Sequence, residues 1–117
     1  MAPETIAFFD TFCRTALAEV CCTETYYTAA GEVASFGIFP GGADKGTALA
    51  LVLRKLNLSS EAVVAIGDND HDLPLFAQAG LKVAVGNATV ALKQRADVIA
   101  PDHDNDGVGW AIEQFVL

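Results

Sequence analysis

The stretch Ala65-Ile66-Gly67-Asp68-Asn69-Asp70-His71-Asp72 runs a short apolar segment straight into three carboxylates within five residues. The preceding Glu61-Ala62-Val63-Val64-Ala65-Ile66 is short, apolar and partly β-branched, which is the pattern of a buried parallel strand. Gly67 then permits a tight turn. Like charges this close repel, so the loop costs stability unless something offsets the repulsion. A hard cation such as Mg²⁺, held by one or two carboxylates and by substrate phosphate oxygens, would offset it. Loops at the carboxyl ends of strands are also where open α/β sheets take their ligands. Taken alone, the loop reads equally well as a solvated acidic turn that caps the next helix.

Working outward, Asp44 is placed to cap a helix running to Leu56, with Ala48, Leu49, Val52, Leu53 and Leu56 on its apolar face. After the acidic loop, the pattern predicts a helix over 73–78 with Pro74 in the tolerated first turn, ended by Gly80. A strand over 82–85, a short helix over 89–95, a strand over 97–100 and a helix over 107–115 follow. This alternation predicts parallel strands joined by right-handed crossovers. Upstream, Ile6, Phe9, Cys13, Leu17 and Val20 form a helical stripe over 3–20. Residues 24–30 and 33–39 then read as two strands joined by a turn at Ala30-Gly31-Glu32.

The motifs occur in a particular order. Phe39-Pro40-Gly41-Gly42-Ala43-Asp44-Lys45-Gly46-Thr47-Ala48-Leu49 opens the helix before the acidic loop. Behind the loop come Ala79-Gly80, Val83-Ala84-Val85-Gly86-Asn87-Ala88, Ala96-Asp97 and Asp106-Gly107-Val108. In that order and at those spacings they resemble the C-terminal part of a haloacid dehalogenase superfamily phosphatase, most closely the Cof-like branch of phosphosugar phosphatases. The resemblance is good over roughly 34–117 and only general before that. It implies an α/β fold: a partial Rossmann-like core with parallel strands over 39–117, the C-terminal half of such a core. A remnant of an α/β cap, one helix plus a hairpin, would occupy 1–38.

The resemblance also implies roles. Asp68 matches a Mg²⁺ ligand, and Asp72 the second acid that supports the metal directly or through its hydration shell. His71 stands where the family usually has asparagine; imidazole is bulkier, and the departure implies either an altered phosphate contact or a weakened metal site. Lys45 matches the lysine that neutralises the phosphoryl oxygens and the nucleophile, an electrostatic device of large catalytic effect. On the residue pattern alone, a cation at a helix start is slightly unfavourable against the dipole, which argues for a functional reason. Asn87, just past the next strand, is a candidate contact to metal-bound water or substrate, and equally a turn or cap residue. The substrate-binding candidates are therefore Lys45, Asn87 and His71.

One half of the chemistry is not visible. The family begins with an Asp-x-Asp motif whose first aspartate is the nucleophile and whose second is the acid and base. The nearest candidate, Ile6-Ala7-Phe8-Phe9-Asp10-Thr11-Phe12, has Phe12 where the second aspartate belongs, and the helical stripe explains it better. The expected function is that of a haloacid dehalogenase-like hydrolase piece. It would carry the Mg²⁺ and lysine half of a site for hydrolysing phosphate monoesters of small metabolites or sugars, and be nearly inactive alone. The alternative is a non-catalytic domain of the same fold that acts by cation binding or oligomerisation. Without the strand that carries the nucleophile, the strand over 62–66 lies at an open sheet edge. Dimerisation through that edge, element swapping or rearrangement of the first 40 residues is expected to cover it.

Bulk composition sets outer bounds. At 117 residues the chain is one domain at most, and 52% apolar with 19% charged residues suffices for a core. The formal net charge of −8 and the lack of any basic stretch argue against nucleic acid as a partner. A small phosphorylated substrate stays compatible, because a bound cation reverses the local sign. No apolar run approaches the roughly 20 residues of a membrane helix, and no signal sequence is visible; a cytoplasmic protein without membrane partners is expected. Cys13, Cys21 and Cys22 lack C-x-x-C spacing and read as reduced thiols. Finally, Asp102-His103-Asp104-Asn105-Asp106-Gly107 with Glu113 satisfies the calcium-loop pattern. The segment before it reads as strand plus Pro101 rather than as the incoming helix such a loop requires. Asp106 as a helix cap explains it adequately.

Overall fold

The computed structural model describes residues 2–117, which divide into one unit ending at Ala43 and a second from Asp44 to Leu117. The sequence had placed the division at 38/39.

In the first unit, Pro3 sits at the start of helix α1 (Pro3–Ala16), where its missing N–H costs nothing, and Glu4 faces the helix dipole favourably. The expected stripe continues to Val20, but the helix stops earlier: the Leu17 N–H bonds back to Cys13, and the Val20 and Cys21 N–H groups both donate to the Leu17 carbonyl. That turn releases the chain into β1 (Cys21–Tyr27), three residues before the expected strand. Strand β1 pairs antiparallel with β2 (Val33–Pro40) in a two-stranded sheet. The hairpin closes between Thr28 and Glu32, with Gly31 at a φ of 81°, a conformation that favours glycine. Cys13 is the buried anchor of α1, and all three cysteines are free thiols.

The second unit opens with the Asp44 carboxylate accepting from the Thr47 N–H at 2.7 Å, which caps helix α2 (Lys45–Leu56) as the sequence predicts. Asn57, at a φ of 54°, ends it. A three-stranded sheet follows, built from β3 (Val64–Gly67), β4 (Leu81–Ala84) and β5 (Val98–Ile99), parallel throughout and in the order β3-β4-β5. Between the strands lie α3 (Leu73–Phe76) and α4 (Val90–Lys93), and α5 (Gly107–Phe115) comes last. This is the expected alternation, with β3 and β4 shifted by one or two residues and α3, α4 and β5 shorter than expected.

Strand β4 sorts the core by alternation. Ala84 faces a cluster with Ala65, Phe76, Val85 and Leu92, which gathers α3 and α4 on one side of the sheet. Val83 faces Ala100 and Ala111, which seats α5 on the other side. Phe76, Leu92 and Val83 are fully enclosed. With both faces covered, the carboxyl ends of the strands are the free end where loops can shape a ligand site. Among the described residues, strand β3 pairs only with β4, and β1 and β2 form their own sheet. Among the described residues, no helix is long and apolar enough to cross a membrane.

Candidate active site at the end of strand β3

The acidic loop leaves β3 at Gly67, where a Cβ would come within 2.8 Å of the Asp72 side chain. Lacking one, the chain folds back on itself. Asn69 caps a 3₁₀ turn over Asp70–Asp72, and the Asp72 carboxylate closes the loop. Its Oδ2 accepts from the backbone N–H of Asp68 at 3.0 Å and of Asn69 at 3.2 Å. Its Oδ1 accepts from the Lys45 ammonium, which arrives from the first turn of α2. Gly46, next to Lys45, lies so close to α3 that a Cβ there would sit 2.2 Å from the Pro74 carbonyl oxygen. The two helix starts are thus pressed together, and the lysine is delivered to the loop.

Two of the three carboxylates crowded into this loop have separate partners. Asp72, 4% exposed, has its pKa pushed up by burial, but the Lys45 hydrogen bond, the two backbone N–H groups and the Lys45 charge more than reverse this and hold it below the usual carboxylate value. Asp70 accepts from the Thr89 hydroxyl, and the Thr89 N–H donates to the Asp68 carbonyl at 3.0 Å, tying the loop to the start of α4. The Asp68 carboxylate alone of the three has no hydrogen-bond or ion-pair partner among the described residues.

Lys45, Asp68 and Asp72 line one pocket of about 310 Å³, floored by Ile66, Val85 and Val108. His103 completes the wall. His71 and Asn87 are not among the residues that line this pocket. His71 is half-buried in the 3₁₀ turn, its N–H directed at the Asn69 side chain at 3.4 Å. Asn87 accepts the His103 N–H at 3.0 Å and so fastens one loop to another. His103 itself was read only as part of a calcium-loop pattern. The signal that could have found it is its place after the third parallel strand, at the same end of the sheet as the acidic loop.

The other expectations resolve by geometry. Asp10 is a helix residue: it chelates the Arg14 Nε at 2.8 and 2.9 Å and accepts from the Thr23 hydroxyl. The Thr23 hydrogen bond, ahead of Arg14, keeps its pKa low. In the calcium-like segment, Asp102 accepts from Asn105 and Asp106 caps α5 through the Gly109 N–H at 3.2 Å. Among the described residues, no three His, Cys, Asp or Glu side chains assemble as a metal cage. The donor set at the β3 loop suits an ion that takes few protein ligands and keeps its remaining positions for water and phosphate oxygens, as Mg²⁺ does.

The model of the haloacid dehalogenase-like hydrolases matches residues 10–112. The chain belongs to this family. Two Bacillus subtilis relatives match about equally well: the stress response protein YhaX, 42% identical over 67% of this chain and 27% of its own length, and the 5-amino-6-(5-phospho-D-ribitylamino)uracil phosphatase YcsE, 43% identical over 65% and 30%. A haloacid dehalogenase-like hydrolase from Bacteroides thetaiotaomicron superposes with a TM-score of 0.78 at 30% identity, over 95% of this chain and 40% of that one. The chain thus spans less than a third of the two curated relatives and two fifths of the solved hydrolase. The three-stranded parallel sheet and its helices are the family's fold.

Proposed function

We propose that this chain carries the cation- and phosphate-binding half of a Mg²⁺-dependent phosphate monoesterase acting on a small phosphorylated metabolite or sugar phosphate. The observation that supports this best is the Lys45–Asp72 pair set beside the unpartnered Asp68 in one pocket at the carboxyl end of β3. Asp68 is the residue to hold Mg²⁺, which would supply charge neutralisation to a phosphoryl group. Asp72 supports the site from behind, because both of its oxygens already serve Lys45 and the loop amides. Lys45 keeps further N–H donors for phosphoryl oxygens.

The nucleophilic aspartate of the reaction, which would form an aspartyl-phosphate, is not assigned to any residue here, and Asp10 is engaged on α1. A cytoplasmic setting agrees with three thiols left free.

The open edge of β3 favours a second element of the reading, self-association of the chain through that strand.

The test is Mg²⁺ titration by calorimetry, run beside phosphate release from a panel of sugar phosphates, on this chain and on Asp68→Asn. Mg²⁺ binding that Asp68→Asn abolishes is the expected result, with little or no turnover in either protein. Equal Mg²⁺ binding by both proteins would overturn the assignment of Asp68. Turnover that survives Asp10→Asn would place the nucleophile elsewhere in the chain.

A further inference from the structure

We propose that His103 is a second side-chain donor to the phosphoryl group bound in this pocket, and that Asn87 is a positioning residue acting through it. The proposal rests on the phosphate reading of the site and goes beyond it. Counting donors leads to it. The Asp68 and Asn69 N–H groups point into the loop and are already given to Asp72. Lys45 gives one of its three N–H bonds to the same carboxylate. The Lys45 and Asp72 charges offset each other and Asp68 is given to the cation, so a phosphoryl oxygen facing away from Mg²⁺ needs a further donor. Among the side chains lining the pocket, His103 is the one other group able to donate to a phosphoryl oxygen.

Its placement is fixed from several sides. The Asp102 carboxylate accepts from the Asn105 N–H at 2.9 Å and shapes the 3₁₀ turn His103–Asn105. The Asn87 side chain accepts the His103 N–H at 3.0 Å. The Gly86 N–H donates to the Pro101 carbonyl at 3.2 Å, and a Cβ on Gly86 would lie 2.9 Å from the Asp102 nitrogen, so the two loops touch backbone to backbone. The His103 Nε2 lies 3.2 Å from the Asp104 carboxylate, with both side chains largely exposed. The other ring nitrogen, Nδ1, is the one that would donate to a phosphoryl oxygen. Asn87, in the Gly-Asn-Ala turn after β4, then sets the height of His103 over the pocket without touching the ligand.

The experiment titrates inorganic phosphate into the Mg²⁺-saturated chain, reading affinity by ³¹P NMR and the His103 ring nitrogens by ¹⁵N NMR. A hydrogen bond to a charged group is worth enough that His103→Ala should weaken phosphate binding about tenfold. His103→Gln, which keeps a donor, should recover part of it. Asn87→Ala should weaken binding by less, and combining it with His103→Ala should add nothing. The unfolding midpoint of His103→Ala should stay at the parent value, since the side chain is largely exposed. Phosphate binding by the parent chain that His103→Ala leaves intact, with unmoved ring nitrogens, overturns the inference while the phosphate reading stands. Failure of the parent chain to bind phosphate with Mg²⁺ overturns both.

Discussion

The Lys45 ammonium meets the Asp72 carboxylate across 27 positions of sequence, and the same carboxylate accepts the two backbone N–H groups that open the acidic loop. One buried side chain therefore joins the start of α2 to the turn after β3. Removing either partner should affect both structure and ligand binding.

Lys45→Ala leaves a buried carboxylate without its cation. Since more than half of the lysine side chain is exposed, the loss is expected at the lower end for an unsatisfied charged group, about 1–2 kcal/mol. Asp72→Ala, which also frees two backbone N–H groups, should cost more, about 2–3 kcal/mol. Urea unfolding of the two variants checks the order; an Asp72→Ala that is no less stable than Lys45→Ala would contradict it.

The same pair fixes the direction of a pH effect. The folded pKa of Asp72 lies below the unfolded value of about 3.9. Its contribution is therefore fully present above that value and is lost as the pH falls through the lower folded pKa. Asp44, held low mainly by the Thr47 N–H, acts in the same direction. The urea midpoint should stay level from neutral pH to about pH 5 and fall below about pH 4. In Lys45→Ala, where burial of Asp72 is less opposed, the fall should begin at higher pH. Coincident acid limbs in the two proteins would count against the ion pair.

Gly46→Ala separates helix propensity from packing. Alanine favours a helix over glycine by about 1 kcal/mol. Here its Cβ would strike the Pro74 carbonyl at 2.2 Å, so the variant should be less stable than the parent and should bind Mg²⁺ and phosphate more weakly. A gain in thermal midpoint would show that α2 and α3 separate without cost.

Leu92 is fully buried on α4 within the cluster that also holds Phe76 and Ala84. Leu92→Ala should cost about 2–5 kcal/mol, a large share of what a unit of this size has. Loss of the cooperative unfolding transition, or a midpoint shift of that order, is the expected readout.

Strand β3 has one partner among the described residues, and its other edge offers unpaired N–H and C=O groups. Sedimentation velocity should show concentration-dependent association. A single monomeric species across the accessible range would remove self-association from the reading.

Much of this was legible in the sequence because it follows from local rules. The Asp44 cap, the strand before Gly67, the helix start at Pro74 and the Asp106 cap rest on residue types whose backbone preferences differ sharply. The early end of α1 was not legible. The apolar stripe runs through Leu17 and Val20, and only the pairing of β1 with β2 starts a strand at Cys21. The site divides the same way. Lys45, Asp68 and Asp72 lie on motifs with strong local signals and meet in one pocket. His103 does not, because its relevance comes from Asn87, 16 positions earlier, and from contact between two loops. The alternating acids around it mimic a calcium loop that the chain uses instead for capping.

The acidic loop takes its shape from the chain's own N–H groups, Asn69 at one end and Asp72 at the other, with Thr89 bracing Asp70 from outside. A cation taken up at Asp68, as proposed, would therefore meet a receptor that is already assembled. Its capture should run near the speed of diffusion and desolvation, with no ordering step to wait for, and its affinity should respond to ionic strength far more than to temperature-driven loosening of the loop.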